Sequence, residues 1–188
     1  MQKKQLKIQK HSILILVLIL ILSACNDKEQ PVVASETEVI EPVDSSNKST
    51  DIFFYQVKGV SPSGDTLELG KVNSKIILLD FWASWCGPCR KVHPELVKVY
   101  QKYNKQGFEI FSISLDETKE DWQKAIAKDK LSWKFHISEL NSWDSKYAKM
   151  FQIEYIPNNI LYDNKGNVLA KELEPAQLDK ILSEILTK

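Results

Sequence analysis

Two cysteines three residues apart, in Trp85-Cys86-Gly87-Pro88-Cys89, are the side chains of this sequence whose type and spacing point most directly to chemistry. Upstream, Lys75-Ile76-Ile77-Leu78-Leu79-Asp80-Phe81-Trp82 is a short apolar run rich in β-forming residues. Downstream, Arg90 to Gln106 repeats Val92, Leu96, Val99 and Tyr103 at helical spacing. The pair therefore sits where a strand hands over to a helix. The free N–H groups and the positive dipole end of a helix N-terminus favour a thiolate, so the first thiol can be acidic enough to attack at neutral pH. Two blander chemistries use the same residues. A structural zinc ion needs four ligands; Cys25 and His11 belong to a targeting signal, which leaves only His93 and His136, at untypical spacing. A purely structural disulfide closing so short a loop gains little chain entropy. Redox exchange by the pair itself is the favoured chemistry, and neither a metal nor a cofactor is expected.

The 188-residue chain has room for one domain with a real core. Its 25 basic and 25 acidic side chains leave no net charge that would argue for nucleic acid. Met1 to Lys10 holds four lysines and no acid, Ile13 to Leu22 is an unbroken run of ten apolar residues, and Leu22-Ser23-Ala24-Cys25 follows. This is the pattern of a signal peptide over 1–24, with an apolar run shorter than the roughly 20 residues that span a bilayer. Leu-Ser-Ala-Cys resembles a bacterial lipobox, and the resemblance implies cleavage before Cys25 and its acylation, more than one chain making the anchor stable. An ordinary secretory signal and an uncleaved anchor are the alternatives. Each places the domain in an oxidising compartment outside the cytosol. The expected location is a bacterial cell envelope, lipid-anchored to a membrane, with the domain periplasmic. A dithiol that reduces others there needs an electron supply.

The elements that must position the cysteines follow. Asn26 to Thr50 is polar, with no sustained periodicity, and reads with Cys25 as a flexible tether over 25–50. The folded domain is expected over 51–188. Phe53-Phe54-Tyr55-Gln56-Val57 reads as a strand, Ser61 to Asp65 as a turn, and Thr66 to Leu69 as the returning strand. The Ile76 strand and the helix after the cysteines come next, bent at Pro94. Phe108 to Leu115 reads as a strand, Glu117 to Asp129 as a helix, and Trp133 to Ile137 as a short strand. Ser142 to Phe151 reads as a helix with Trp143, Tyr147, Met150 and Phe151 on one face. Asn159 to Tyr162 and Val168 to Lys171 form a hairpin around Asp163-Asn164-Lys165-Gly166. Pro175 opens a last helix with Leu178, Ile181, Leu182 and Ile185 as its apolar stripe. Strands alternating with helices predict an α/β protein with its sheet covered on both faces.

Asp80-Phe81-Trp82-Ala83-Ser84-Trp85-Cys86-Gly87-Pro88-Cys89-Arg90 is similar to the active-site segment of thioredoxins. With the lipobox, the tether and an inserted helix between the Phe108 and Asn159 strands, the chain looks like the TlpA/ResA branch of membrane-anchored thiol-disulfide oxidoreductases. The resemblance implies a thioredoxin fold: a central mixed β-sheet flanked by helices, with an N-terminal β-hairpin extension and the inserted helix. Cys86 then matches the attacking cysteine, Cys89 the resolving one a turn deeper, and Asp80 the buried acid beneath them. Ile156-Pro157 matches the cis-proline loop that docks the substrate chain. A carboxyl in an apolar strand is costly unless hydrogen-bonded or neutral, and a raised pKa would suit proton exchange with Cys89. The plainer alternatives are a paired core aspartate for Asp80 and a strand-entry proline for Pro157.

The chain departs from that pattern in places. Some reductases of the branch carry a glutamate at the position held here by Val92, which reads as core. Asn158 stands where thioredoxins usually have threonine. His93, four residues after Cys89, reads as a solvated helix histidine. Trp85, with Gly87 and Pro88, is the better candidate for partner contact, whereas Trp82 can equally be core. The function expected is reduction of disulfides in envelope proteins by dithiol–disulfide exchange, the pair being recharged by a membrane thiol transporter. A thiol peroxidase of the peroxiredoxin type and a non-catalytic binding lipoprotein are the rival readings.

Overall fold

The apolar run that reads as the pivot of the domain is the middle strand of the sheet. In a computed structural model, residues 48–187 are described, and all fall within one unit, Glu41–Lys188. They form α1 (Lys48–Gln56), β1 (Lys58–Val60), β2 (Thr66–Glu68), β3 (Ile76–Trp82), α2 (Gly87–Tyr103), β4 (Phe108–Ser114), α3 (Lys119–Asp129), β5 (Phe135–Ser138), α4 (Lys146–Met150), β6 (Asn158–Asp163), β7 (Val168–Lys171) and α5 (Pro175–Leu186). The expected signal segment, Cys25 and the tether up to residue 47 lie outside the described residues. Among the described residues no helix is long and apolar enough to cross a membrane.

The main sheet has the order β5-β4-β3-β6-β7. Strands β3, β4 and β5 run parallel, and β6 and β7 are antiparallel additions, so the sheet is mixed. Every residue of β3 is buried, as a strand covered on both faces requires. Parallel neighbours need crossover connections, and these are α2 and α3. Helix α2 packs against both α5 and α3. It runs unbroken through Pro94, and buries Cys89, His93, Leu96, Val99, Tyr100 and Tyr103.

The N-terminal hairpin is present, but its strands are Lys58–Val60 and Thr66–Glu68. Phe53 to Gln56, read as strand, belongs to helix α1, which begins at Lys48 inside the stretch read as tether. Side-chain packing overrides the β-propensity of the aromatic run. Phe54 is buried against Tyr162, ring centroids 5.0 Å apart, while Phe53 meets the edge of Phe151 at 5.9 Å. Ser142 to Phe151 is not one helix. Ser142–Asp144 is a 3-10 turn, and Ser145 restarts the chain as the N-cap of α4, its hydroxyl accepting from the Tyr147 and Ala148 amides. Trp143 consequently leaves the buried face and stands 41% exposed. The strand read from Trp133 begins at Phe135.

Candidate active site

Cys86 is the N-cap of α2, in extended backbone conformation, and its Sγ accepts a hydrogen bond from the Cys89 amide at 3.1 Å. Pro88 lies in the first turn, where its missing N–H would have had no helical partner. The two sulfurs are joined as a disulfide, with Cα atoms 5.3 Å apart. Cys86 retains 4% exposure and Cys89 none, so an incoming sulfur reaches Cys86 first. Gly87 and Pro88 are exposed, and a Cβ added at Gly87 would meet nothing within 4 Å, leaving the approach to the pair open.

Asp80 lies two residues before Trp82 on the same face of β3, the face on which Val92 and Leu96 of α2 lie with Leu78 and Asp80 around one cavity. Register pairs it with Ser112 on one side and Asn159 on the other. The Ser112 hydroxyl donates to Asp80 Oδ2 at 3.0 Å, and Trp133 Nε1 in turn donates to Ser112 Oγ at 2.9 Å. Burial pushes the Asp80 carboxyl up to about 6, opposed only in part by the charge of His93 and the Ser112 hydroxyl. A cavity of about 250 Å³ opens beside it, lined by Asp80, Val92, Tyr155, Pro157 and Glu174 among others, which is room enough to admit water to the carboxyl. Val92, read as core, is half-buried on this cavity's wall.

The Ile156–Pro157 peptide bond is cis. Because Asn158 pairs with Phe81, Pro157 enters β6 level with the end of β3, at the end of the sheet where the cysteine loop begins. Ile156 and Pro157 are half-buried, Asn158 is buried, and Trp82 is fully buried in the core. Trp85, 51% exposed, lies 6.3 Å, ring centre to centre, from Trp143. An exposed aromatic surface therefore adjoins Cys86.

His93 is not solvated. It is 1% exposed, its Nδ1 lies 2.7 Å from Asp129 Oδ2, and its ring meets Trp82 edge-on at 4.9 Å. The end of α3 closes over this face of α2. Burial works against the Asp129 carboxylate, but Arg90 and His93 outweigh it and hold it below the usual range. Arg90 grips Asp129 through Nε and through Nη2 (2.6 Å), and donates Nη1 to the Ser84 carbonyl at 2.9 Å. Asp116 accepts from the Ser84 amide at 3.1 Å and from Ser114 Oγ at 2.6 Å. This network pins the loop 83–86 under the dithiol. None of Ser84, Arg90, Ser112, Asp116, Asp129 and Trp133 was singled out from the sequence. The available signal is polar: Ser112 and Ser114 alternate with Phe111 and Ile113 in a strand with no exposed residue, so each must find a partner inside. Among the described residues no group of three or more His, Cys, Asp or Glu side chains is placed to hold a metal ion.

A family model described as thioredoxin-like matches residues 73–168, from just before β3 to the start of β7. The thiol-disulfide oxidoreductase ResA of a Bacillus cereus strain is 29% identical over 125 residues, covering 65% of this chain and 70% of its own. A solved thiol-disulfide oxidoreductase from Bacteroides fragilis NCTC 9343 is 33% identical, with a TM-score of 0.64 over 69% of this chain and 96% of that one. A thiol:disulfide interchange protein from Bacteroides sp. is 31% identical, with a TM-score of 0.63 over 70% of this chain and 86% of its own. The dithiol at the helix cap, the mixed sheet and these likenesses agree: the chain belongs to the thioredoxin-like family, among its thiol-disulfide oxidoreductases.

Proposed function

We propose that this enzyme reduces disulfides of partner proteins in the cell envelope, working from a membrane to which an acylated Cys25 holds it. The observation that carries the reading is the stacking of functions along β3 and α2: Cys86 at a helix N-terminus, Cys89 buried behind it, and Asp80 protonating near pH 6 on the strand beneath. The Cys86 thiolate attacks one sulfur of the partner disulfide, forming a mixed disulfide and releasing the other sulfur as a thiolate. Cys89 gives its proton to the Asp80 carboxylate and its sulfur attacks Cys86 Sγ, expelling the second partner thiolate. Two electrons pass to the partner, two protons make its thiols, and the enzyme keeps the Cys86–Cys89 disulfide. The cavity beside Asp80 returns its proton to solvent. Trp85, Gly87 and Pro88 receive the partner on one side, and Ile156-Pro157 on the other. The Gly-Pro between the cysteines, similar to that of reducing thioredoxins, supports the reductive direction, and a membrane thiol transporter is the electron donor this requires.

Replacing Cys89 with Ser removes the resolving sulfur. In cells, the Cys89→Ser chain should accumulate adducts visible on non-reducing gels, lost on reduction and absent when Cys86 is also replaced. A Cys89→Ser chain that traps nothing contradicts this order of attack.

A further inference from the structure

We infer that Ser112 and Trp133 are positioning residues for the proton step: the Trp133 indole locks the Ser112 hydroxyl onto Oδ2 of Asp80, which leaves Oδ1 as the oxygen that takes the proton of Cys89. The inference rests on the proposed role of Asp80. Ser112 lies opposite Asp80 in the parallel pairing of β3 with β4, so both side chains stand on one face of the sheet. Two hydrogen bonds meet at the serine oxygen. It donates to Asp80 Oδ2 at 3.0 Å and accepts from Trp133 Nε1 at 2.9 Å. An indole N–H can only donate, and a serine hydroxyl has a single proton. With Trp133 giving its hydrogen to the oxygen, the serine proton goes to Asp80, the one acceptor it meets among the described residues. The reverse arrangement, a protonated Oδ2 donating to Ser112, would leave that serine proton buried and unpaired, at a cost of about 1–3 kcal/mol.

The relay is stiff at its far end. Trp133 is buried, its ring stacked on His136 at 5.4 Å and 21° and met edge-on by Tyr100 at 5.6 Å. A ring clamped on a face and an edge cannot swing its N–H away. Oδ1 of Asp80, by contrast, accepts no hydrogen bond from the described residues, and Asp80 lines the cavity of about 250 Å³. The proton of the Cys89 thiol passes to Oδ1, the sulfur keeps the electron pair and attacks Cys86 Sγ, and Oδ1 then gives the proton to solvent through the cavity. The titratable groups packed around Asp80 come from several elements. Helix α2 brings Cys89 and His93, β5 brings His136 in the same register row, and Tyr155, Glu172 and Glu174 line the cavity. Burial holds His136 down to about 4, so it stays neutral at working pH. From β4 and β6 the residues level with Asp80 are the neutral Ser112 and Asn159. Ser112 and Trp133 touch neither sulfur nor partner in this scheme. They act through Asp80, so their removal shows as a displaced pH profile rather than as a lost reaction.

The test uses the full chain, Ser112→Ala, Trp133→Phe and the double variant, with the Asp80 carboxyl of the oxidised proteins followed by carbon NMR. Ser112→Ala removes a hydrogen bond to a charged oxygen and should move the Asp80 midpoint upward by about one pH unit. Trp133→Phe only loosens that bond and should move it upward by about 0.3 unit. Because Trp133 acts through Ser112, Trp133→Phe should add nothing in the Ser112→Ala background. A midpoint within about 0.1 unit of the unaltered chain in both single variants, or a Trp133 effect that persists without Ser112, overturns the inference. The reduced proteins are then mixed with dithiobisnitrobenzoate in a stopped-flow instrument across pH. Two thionitrobenzoate anions leave, the first on attack by Cys86 and the second on attack by Cys89. The pH profile of the second release should move with the Asp80 midpoint. A midpoint that moves while that profile stays fixed upholds the relay and contradicts the role of Asp80 instead. If the variants do not fold, the Trp133 indole N–H resonance of the unaltered chain reports the same connection. It should step at the Asp80 midpoint, and a resonance with no step there overturns the inference.

Discussion

Asp80 carries the strongest consequence at the scale of single residues. An aspartate ordinarily titrates near 3.8, and burial raises this one to about 6. The folded protein therefore holds a proton that the unfolded chain has lost between those values, and stability falls as pH rises through that window. Above it the buried carboxylate is ionised at a cost of about 3 kcal/mol. Asp80→Asn keeps an acceptor for the Ser112 hydroxyl and removes the charge. It should stabilise the oxidised protein by roughly 1–3 kcal/mol at neutral pH, fading to nothing below about pH 4, as measured by denaturant unfolding across pH. A destabilised Asp80→Asn at neutral pH contradicts the assignment. The same substitution should slow resolution by Cys89, so stability and activity move in opposite directions. The cysteine pair at the start of a helix was legible because local sequence marks it, and the positions of Asp80 in the central strand and of Ile156-Pro157 before β6 because the family resemblance pointed to them. Ser112 and Asp129 were not, since they meet Asp80 and His93 across 32 and 36 residues, and strand register and helix docking cannot be read from one sequence.

Elements were legible where one periodicity dominated. Ile76–Trp82, Phe108–Ser114 and Pro175–Leu186 lie almost where their apolar patterns place them. The misread segments are those in which tertiary contact outweighs propensity. Phe53 to Val57 has the composition of a strand, yet Phe54 and Val57, three apart, are both buried while Tyr55 and Gln56 between them are exposed, as a helix end demands. Ser145 likewise splits a continuous helical pattern because its hydroxyl caps α4. The N-terminal hairpin is held to the rest of the domain by close approach rather than by strand pairing. Lys58 donates its amide to the Tyr147 hydroxyl at 2.8 Å, and a Cβ at Gly59 would come within 2.8–2.9 Å of Ile137 side-chain atoms. Gly59→Ala must push hairpin and β5 apart. It should lower stability by about 1–3 kcal/mol, seen as a lower denaturant midpoint at unchanged slope. An unshifted midpoint would show that the hairpin does not dock through Gly59.

At the scale of the whole molecule, the proposal joins a thioredoxin-like domain to the leader and tether expected from the sequence, as a reductant held at a membrane surface, and the direction of electron flow decides whether it holds. Direction is a property of the entire environment of the pair. The cap at Cys86, the acid at Asp80, the His93–Asp129–Arg90 network and the loop pinned by Asp116 all weigh on the difference between dithiol and disulfide. No single motif carries it, which is why Cys-Gly-Pro-Cys in the sequence announces the reaction more securely than its sense. The equilibrium reduction potential of Cys86–Cys89, measured by alkylation in graded thiol buffers, tests this most directly. A value near or below about −230 mV places the pair with reductants such as thioredoxin, as predicted here. A value above about −150 mV places it with strong oxidants and contradicts the account.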